Sequence, residues 1–232
     1  MADSPLRSPE RAKRFFWIFY FVLAALMLLC LIQWNSSDPF ARIDIFSGGY
    51  IVLSAFWVAA SMSFISAAAG SKELSNELSG MTFDPLLLRA ITILSVGELT
   101  VFLDYGHFHL WPGLQLRVLQ SLGLTLYFLG AVWLAWTDRF LIAHFRGDME
   151  HREVITDGPY QFVRHPRYTA LLVSRVAFSL ALASPIAWGF LVVWIIFVLR
   201  RIRLEEEHLH TVFGAAYDAY AKHTARLLPG VY

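Results

Sequence analysis

The sequence predicts an all-α fold: a polytopic membrane helix bundle of about six membrane segments, the last two forming a helical hairpin, with polar segments gathered on the cytoplasmic side. Three observations predict it. Apolar residues make up 57% of the 232-residue chain and charged residues 16%, and the mean hydropathy is positive, a composition suited to lipid as solvent. Stretches of about twenty residues almost free of charge, the length of a bilayer crossing, recur along the chain. Lys and Arg collect in the polar stretches that fall on one side of these crossings, as the positive-inside rule requires.

Residues 1–14, MADSPLRSPERAKR, read as a disordered basic leader with two prolines, and Arg7, Arg11, Lys13 and Arg14 hold it on the cytoplasmic side. No cleavable signal is expected, because the first apolar run is long enough to span and no small-residue cleavage site follows it. Residues 15–33 supply that first span, with Trp17 and Tyr20 near one interface and Trp34 near the other. Residues 34–46 form a short external loop closed by Gly48 and Gly49. The second span covers 50–69 and carries small residues such as Ser54, Ala55 and Ala59 that permit close helix contact. Residues 70–85 are a polar cytoplasmic linker. The third span, 86–103, is interrupted by Arg89 and Glu98. Residues 104–112 form a second external loop, in which Asp104, His107 and His109 read as surface residues rather than metal ligands.

The fourth span covers 114–136, with Gly123 and Gly130 allowing close approach. Residues 138–167 are the longest polar segment and are assigned to a loop for want of a span. A helix then rises over 166–183, Ser184 and Pro185 break it, and 186–199 returns. Each arm is short for a crossing of ~20 residues, which favours a tight hairpin. Residues 200–232 extend the returning helix into the cytoplasm and end in a tail. Both termini are therefore expected inside, and the chain divides into leader (1–14), four-span bundle (15–137) and C-terminal unit (138–232).

A net charge of +1 gives no field that would attract nucleic acid. Cys30 is the single cysteine, which excludes an internal disulfide or a cysteine-based zinc site, and no metal is expected.

Chemistry concentrates in two places. In 157–168, DGPYQFVRHPRY, Gly158 and Pro159 enforce a turn, and Pro166 suits the first turn of a helix. The free amides of that helix start, with Arg164, His165 and Arg167 around them, predict an anion site. Tyr160, Phe162 and Tyr168 add aromatic faces suited to a heterocycle. Alone, this could be a basic helix cap facing lipid phosphates. The second cluster puts Arg200, Arg201, Arg203, Glu205, Glu206 and Glu207 on about two turns of helix, where Arg201 and Glu205 share a face. Alone, that is a salt-bridged helix end. The apolar segment between the clusters folds back on itself, so both must meet on one membrane face.

GPYxxVRHPxY, followed by EExxLxxxFGxxYxxY and a closing R-x-x-P, resembles the isoprenylcysteine carboxyl methyltransferase and phospholipid methyltransferase family of integral membrane enzymes. The elements are Gly158, Pro159, Tyr160, Val163, Arg164, His165, Pro166 and Tyr168, then Glu205, Glu206, Leu209, Phe213, Gly214, Tyr217 and Tyr220, then Arg226 and Pro229. The resemblance implies S-adenosyl-L-methionine as methyl donor, held by Gly158, Tyr160, Arg164, His165, Pro166, Tyr168, Glu206 and Tyr217. Arg200 or Arg201, with Glu205, would lie nearest the transfer and position the nucleophile. The acceptor it implies is a lipophilic or prenylated substrate drawn from the membrane lipids, with the carboxylate of an isoprenylcysteine first and a phospholipid or other lipophilic amine second. Sterol reductases, which use a nicotinamide cofactor, share a related RHPxY-like turn but typically have Arg-Asp-Glu where this chain has Leu204, Glu205 and Glu206. A non-enzymatic lipid-binding scaffold is the remaining alternative.

The chemistry of the donor agrees with the residues: basic side chains at 164–167 suit its carboxylate, Glu206 or Glu205 its ammonium, and aromatic rings its adenine. Glu206 and His165 are expected outside the apolar core, so that their substitution spares the bundle. Arg167 stands where relatives often carry an apolar residue. Arg175 lies about mid-span, at a depth comparable to Glu98, and the two are expected to pair directly or through one polar group. His144, His151 and His208 near the site are expected to make ordinary polar contacts.

Overall fold

Four prolines and one side-chain cap set most of the helix starts. The structure, a computed structural model, describes residues 9–34, 36–69, 85–145 and 153–230. Within them the regular elements are helices: α1 Pro9–Leu31, α2 Ile45–Ala69, α3 Pro85–Leu103, α4 Arg117–Phe145, α5 Pro166–Ala181, α6 Pro185–Phe213 and α7 Ala215–His223. Four of them open on proline, whose fixed φ suits the first turn and whose missing N–H would have no partner there. α2 opens after Asp44, whose Oδ1 accepts the amides of Phe46 at 2.9 Å and Ser47 at 3.0 Å, a side-chain cap.

Ile45–Met62 of α2, Arg117–His144 of α4 and Pro185–Phe213 of α6 are long and apolar enough to cross a membrane. Outward side chains on them, including Phe56, Leu129, Val192 and Ile196, are exposed, as a lipid-facing surface must be where backbone groups are satisfied within the helix. The chain is a membrane protein.

Several boundaries differ from expectation. Residues 9–14, expected in a disordered leader, are the first turns of α1, and residues 1–8 lie outside the described residues. α2 begins at Ile45, so Gly48 and Gly49 lie within it rather than closing a loop. α4 runs on to Phe145 through part of the stretch assigned to a loop. The reason is that Thr137 and Asp138 are buried: the Thr137 hydroxyl donates to the Trp133 carbonyl at 2.9 Å, and Asp138 Oδ1 lies 2.9 Å from Arg167 Nε. Polar residues with partners do not end a helix. The linker 70–84 lies outside the described residues. Asp104, expected on the surface, is buried; it starts a π-helical turn, Asp104–Phe108, and accepts hydrogen bonds from the Ser184 hydroxyl and, at 2.9 Å, from the Leu110 amide.

α5 is the short central element. A Cβ at Gly123 of α4 would stand 2.4 Å from the Ala181 nitrogen and 2.7 Å from the Ala177 carbonyl oxygen, so the two backbones touch only because glycine leaves that space. The break after α5 is tied to α4 where Gln120 Nε2 donates to the Ala181 carbonyl at 3.1 Å. Tyr50 of α2 lies at the middle of the core, its ring 4.6 Å from Phe178 and 5.0 Å from Tyr127. A second apolar group, Trp194, Val198, Ile202 and Leu227, packs α6 against the chain's last turns.

Glu98 and Arg175 pair directly, as expected: Arg175 Nη1 donates to Glu98 Oε1, and the Tyr50 hydroxyl donates to the same oxygen at 3.3 Å. Removing one member of a buried pair strands the other charge, at a cost of about 3–5 kcal/mol. Arg175→Met should therefore lower unfolding stability in detergent by that order, and adding Glu98→Leu should restore most of the loss. A double variant as unstable as the single would contradict this account.

Candidate active site

The turn before α5 is shaped by one glycine. Gly158 has a φ of +58°, and a Cβ there would stand 2.5 Å from a ring carbon of Phe140 on α4, so both conformation and space require glycine. The 3-10 turn Gly158–Gln161 follows. The Tyr160 carbonyl accepts a 2.6 Å hydrogen bond from the Tyr220 hydroxyl of α7. Burial pushes the Tyr160 hydroxyl up to about 12, with Asp138 and Glu205 adding to the rise against Arg167.

The chain's last segment straps across this turn. Val163 and Ala225 form an isolated parallel β-bridge. The Arg164 amide donates to the Ala225 carbonyl at 2.8 Å and the His165 amide to the Arg226 carbonyl at 3.0 Å. Thr169 Oγ1 then donates to the Leu227 carbonyl at 2.8 Å. The anion site expected from free amides at this helix start is thus corrected in part, because the amides of Arg164 and His165 are already used. On the other side, Trp133 Nε1 donates to the Pro166 carbonyl at 3.0 Å and fixes the start of α5 to α4.

α6 delivers the two carboxylates to this turn. Glu206 is buried and collects three basic groups: Arg226 Nη2 lies 2.9 Å from Oε2, Arg164 Nη1 3.2 Å from Oε1 and His165 Nε2 3.4 Å from Oε1. Glu205 Oε1 accepts from the Tyr168 hydroxyl at 2.6 Å and from Arg201 Nε at 3.1 Å. His165 Nδ1 stands 3.8 Å from Glu205 Oε2, so the imidazole lies between the two glutamates. Tyr217 is buried beside Glu206 and Arg164, and burial first, then the Glu206 charge, pushes its hydroxyl up to about 12.

Of the expected site residues, Arg164, His165, Tyr168, Arg201, Glu205, Glu206 and Tyr217 come together, with Gly158, Tyr160 and Pro166 forming the frame. Arg200 does not. It is exposed, because five residues of helix turn it well off the Glu205 face while four keep Arg201 on it. Arg167 also turns away, toward Asp138 on α4. Glu206 and His165, expected outside the core, are buried, although their neighbours are polar. His208 is exposed, and His151 lies outside the described residues. Arg226 is the functional candidate that the site assignment omitted; its signal was the closing R-x-x-P.

The residues fit S-adenosyl-L-methionine by the chemistry of their donors. Arg164 Nε is buried and makes no hydrogen bond, and a buried polar atom in that state asks for a partner. A carboxylate could accept from it. The Glu205 carboxylate is partly open and could accept from an ammonium.

Comparison with known proteins bears on the same stretch. Residues 113–216 match the family described as phospholipid methyltransferase. They include the Gly158 turn, α5, and α6 with both glutamates. Protein-S-isoprenylcysteine O-methyltransferase B of Arabidopsis thaliana is 39% identical over 83 residues, 35% of this chain and 42% of that protein. Protein-S-isoprenylcysteine O-methyltransferase A of the same plant is 37% identical with the same coverage. Protein-S-isoprenylcysteine O-methyltransferase of Dictyostelium discoideum is 35% identical over 80 residues, 34% of each chain. The chain thus spans about two fifths or less of the length of these relatives.

The Gly158 turn tests its own geometry. Gly158→Ala should cost on the order of 1–3 kcal/mol from left-handed strain and the Phe140 contact. Tyr220→Phe, which removes one hydrogen bond, should cost about 1 kcal/mol. Thermal unfolding midpoints in detergent should rank wild type above Tyr220→Phe above Gly158→Ala.

Proposed function

We propose that this protein is an S-adenosyl-L-methionine-dependent methyltransferase acting on a lipophilic acceptor at the cytoplasmic membrane interface, the first choice of acceptor being the carboxylate of an isoprenylcysteine-type substrate. The observation that carries this reading is the convergence of Arg164, His165 and Arg226 on Glu206, beside Tyr168 and Arg201 on Glu205, inside a segment of a methyltransferase family. On this reading α1 to α6 are six membrane segments, α5 and α6 form the hairpin, both termini face the cytoplasm, and residues 138–232 are the working unit.

Three guanidiniums, Arg164, Arg201 and Arg226, face two carboxylates, Glu205 and Glu206. One positive charge is left over before His165 is counted, and it suits a ligand that brings a carboxylate. The donor supplies an electrophilic methyl group on a positively charged sulfur. Arg164 would hold its carboxylate, Glu205 or Glu206 its ammonium, and the rings of Tyr160 and Tyr217 its adenine. Arg201, held by Glu205, would orient the acceptor carboxylate; such an acceptor is already a nucleophile and needs no base, so alignment and exclusion of water supply the rate.

The family's description as phospholipid methyltransferase favours a second reading, a lipid amine as acceptor, in which Glu205 would take the proton released from nitrogen. A nicotinamide-dependent reductase is separated from both by ligand binding.

Calorimetric titration of the full chain in lipid nanodiscs should show S-adenosyl-L-methionine binding and none with NADPH. Glu206→Gln keeps the shape of the side chain while releasing three basic partners, and it should weaken donor binding at least tenfold. Binding of NADPH alone, or unchanged donor affinity in both Glu206→Gln and His165→Ala, would overturn the assignment.

A further inference from the structure

At the end of the bundle away from the glutamate cluster, the starts of α2 and α4 and the turn Asp104–Phe108 border an open cavity of about 430 Å³, lined by Arg42, Asp44, Tyr105, Gln115, Arg117 and Gln120, with Ile45 and Phe46. Gln120 meets the end of α5 at Ala181, while Tyr168 stands near its start. That length of helix is about 20 Å, so the cavity is separate from the proposed methyl-transfer site.

The polar lining is unevenly committed. Asp44 Oδ1 caps α2 through the Phe46 and Ser47 amides, and Oδ2 accepts the Tyr105 hydroxyl at 2.5 Å. Gln120 Nε2 is held by the Ala181 carbonyl and, at 3.4 Å, by the Tyr105 oxygen. Arg42 and Arg117 are different: among the described residues no carboxylate lies in ion-pair contact with either. Two guanidiniums from separate chain segments thus face one cavity whose lining carboxylate, Asp44, is engaged by Phe46, Ser47 and Tyr105 and forms an ion pair with neither, an arrangement that can grip a tetrahedral oxyanion.

Their placement says where the anion comes from. The membrane-crossing stretches of α2 and α4 begin at Ile45 and Arg117, so both arginines stand where two spans leave the bilayer, at headgroup depth. Their chain neighbours Phe40, Ile43 and Ile45, and Leu116 and Val118, are exposed and apolar, a surface on which acyl chains can lie.

We propose that this cavity seats the phosphate of a membrane phospholipid headgroup between Arg42 and Arg117, with the acyl chains on the apolar faces beside it. The site is a lipid-binding site on the opposite side of the bundle from the glutamate cluster, and it stands without regard to the methyl donor.

Native mass spectrometry of the full chain released from detergent tests this, using phosphatidylglycerol, diacylglycerol of the same acyl chains, and inorganic phosphate as probes. Wild type should retain phosphatidylglycerol at least tenfold more tightly than diacylglycerol. Inorganic phosphate at millimolar concentration should not displace it. Arg42→Gln with Arg117→Gln should abolish the preference, and Arg42→Lys with Arg117→Lys should keep part of it. Circular dichroism and a thermal midpoint equal to wild type would confirm that the variants are folded; the lysine pair keeps the test valid should the glutamine pair unfold. Equal retention of diacylglycerol, or an unchanged preference in folded glutamine variants, would overturn the phosphate site. Displacement by inorganic phosphate would overturn the lipid as its source and leave a free-anion site.

Discussion

The carboxylate of Glu206 is the junction on which the C-terminal half depends. Its basic partners come from two separate stretches of chain: Arg164 and His165 from the turn before α5, and Arg226 from the terminal strap. A buried carboxylate without such partners would carry a large desolvation cost. The same compensation explains why residues 225–227 are not a free tail. The strap is drawn in by Arg226 and kept in register by the backbone bonds of Arg164 and His165 to Ala225 and Arg226, with Leu227 packed against Trp194, Val198 and Ile202 of α6.

The apolar part of the molecule supplies the geometry in which this junction forms. α5 is only sixteen residues long, yet it touches α4 backbone to backbone at Gly123, and its end is bound by Gln120. Its start is bound by Trp133. Fixed at both ends, α5 sets the height at which Arg164, His165 and Tyr168 meet α6. The Glu98–Arg175–Tyr50 group adds a polar tie between α2, α3 and α5, where lipid offers no competing hydrogen bonds.

Much of this was legible in the residues. The helix starts at Pro166 and Pro185 follow from proline's fixed φ, the close approach at Gly123 from its missing side chain, and the Glu98–Arg175 pair from the cost of a lone charge at mid-span. The meeting of 158–168 with 200–220 followed from one apolar segment between two polar ones. What escaped depended on partners distant in sequence. The continuation of α4 through Asp138 requires Arg167; the burial of Asp104 requires Ser184, eighty residues away; and use of the Arg164 and His165 amides requires the strap. Arg200 was grouped with Arg201 because adjacency in sequence hides the angle between their faces. Local propensity and periodicity carry no information about such pairings, whereas a spaced motif such as R-x-x-P does carry some.

The central claim is that the turn 158–168, the end of α6 with the start of α7 over 200–220, and the strap 224–227 form one donor chamber. Hydrogen–deuterium exchange of the full chain in nanodiscs, with and without S-adenosyl-L-methionine, tests it most directly. The account predicts that amides in all three segments slow together on adding the donor, while those of α1 and α2 are unchanged. Protection confined to other segments, or none at a saturating concentration, would contradict it.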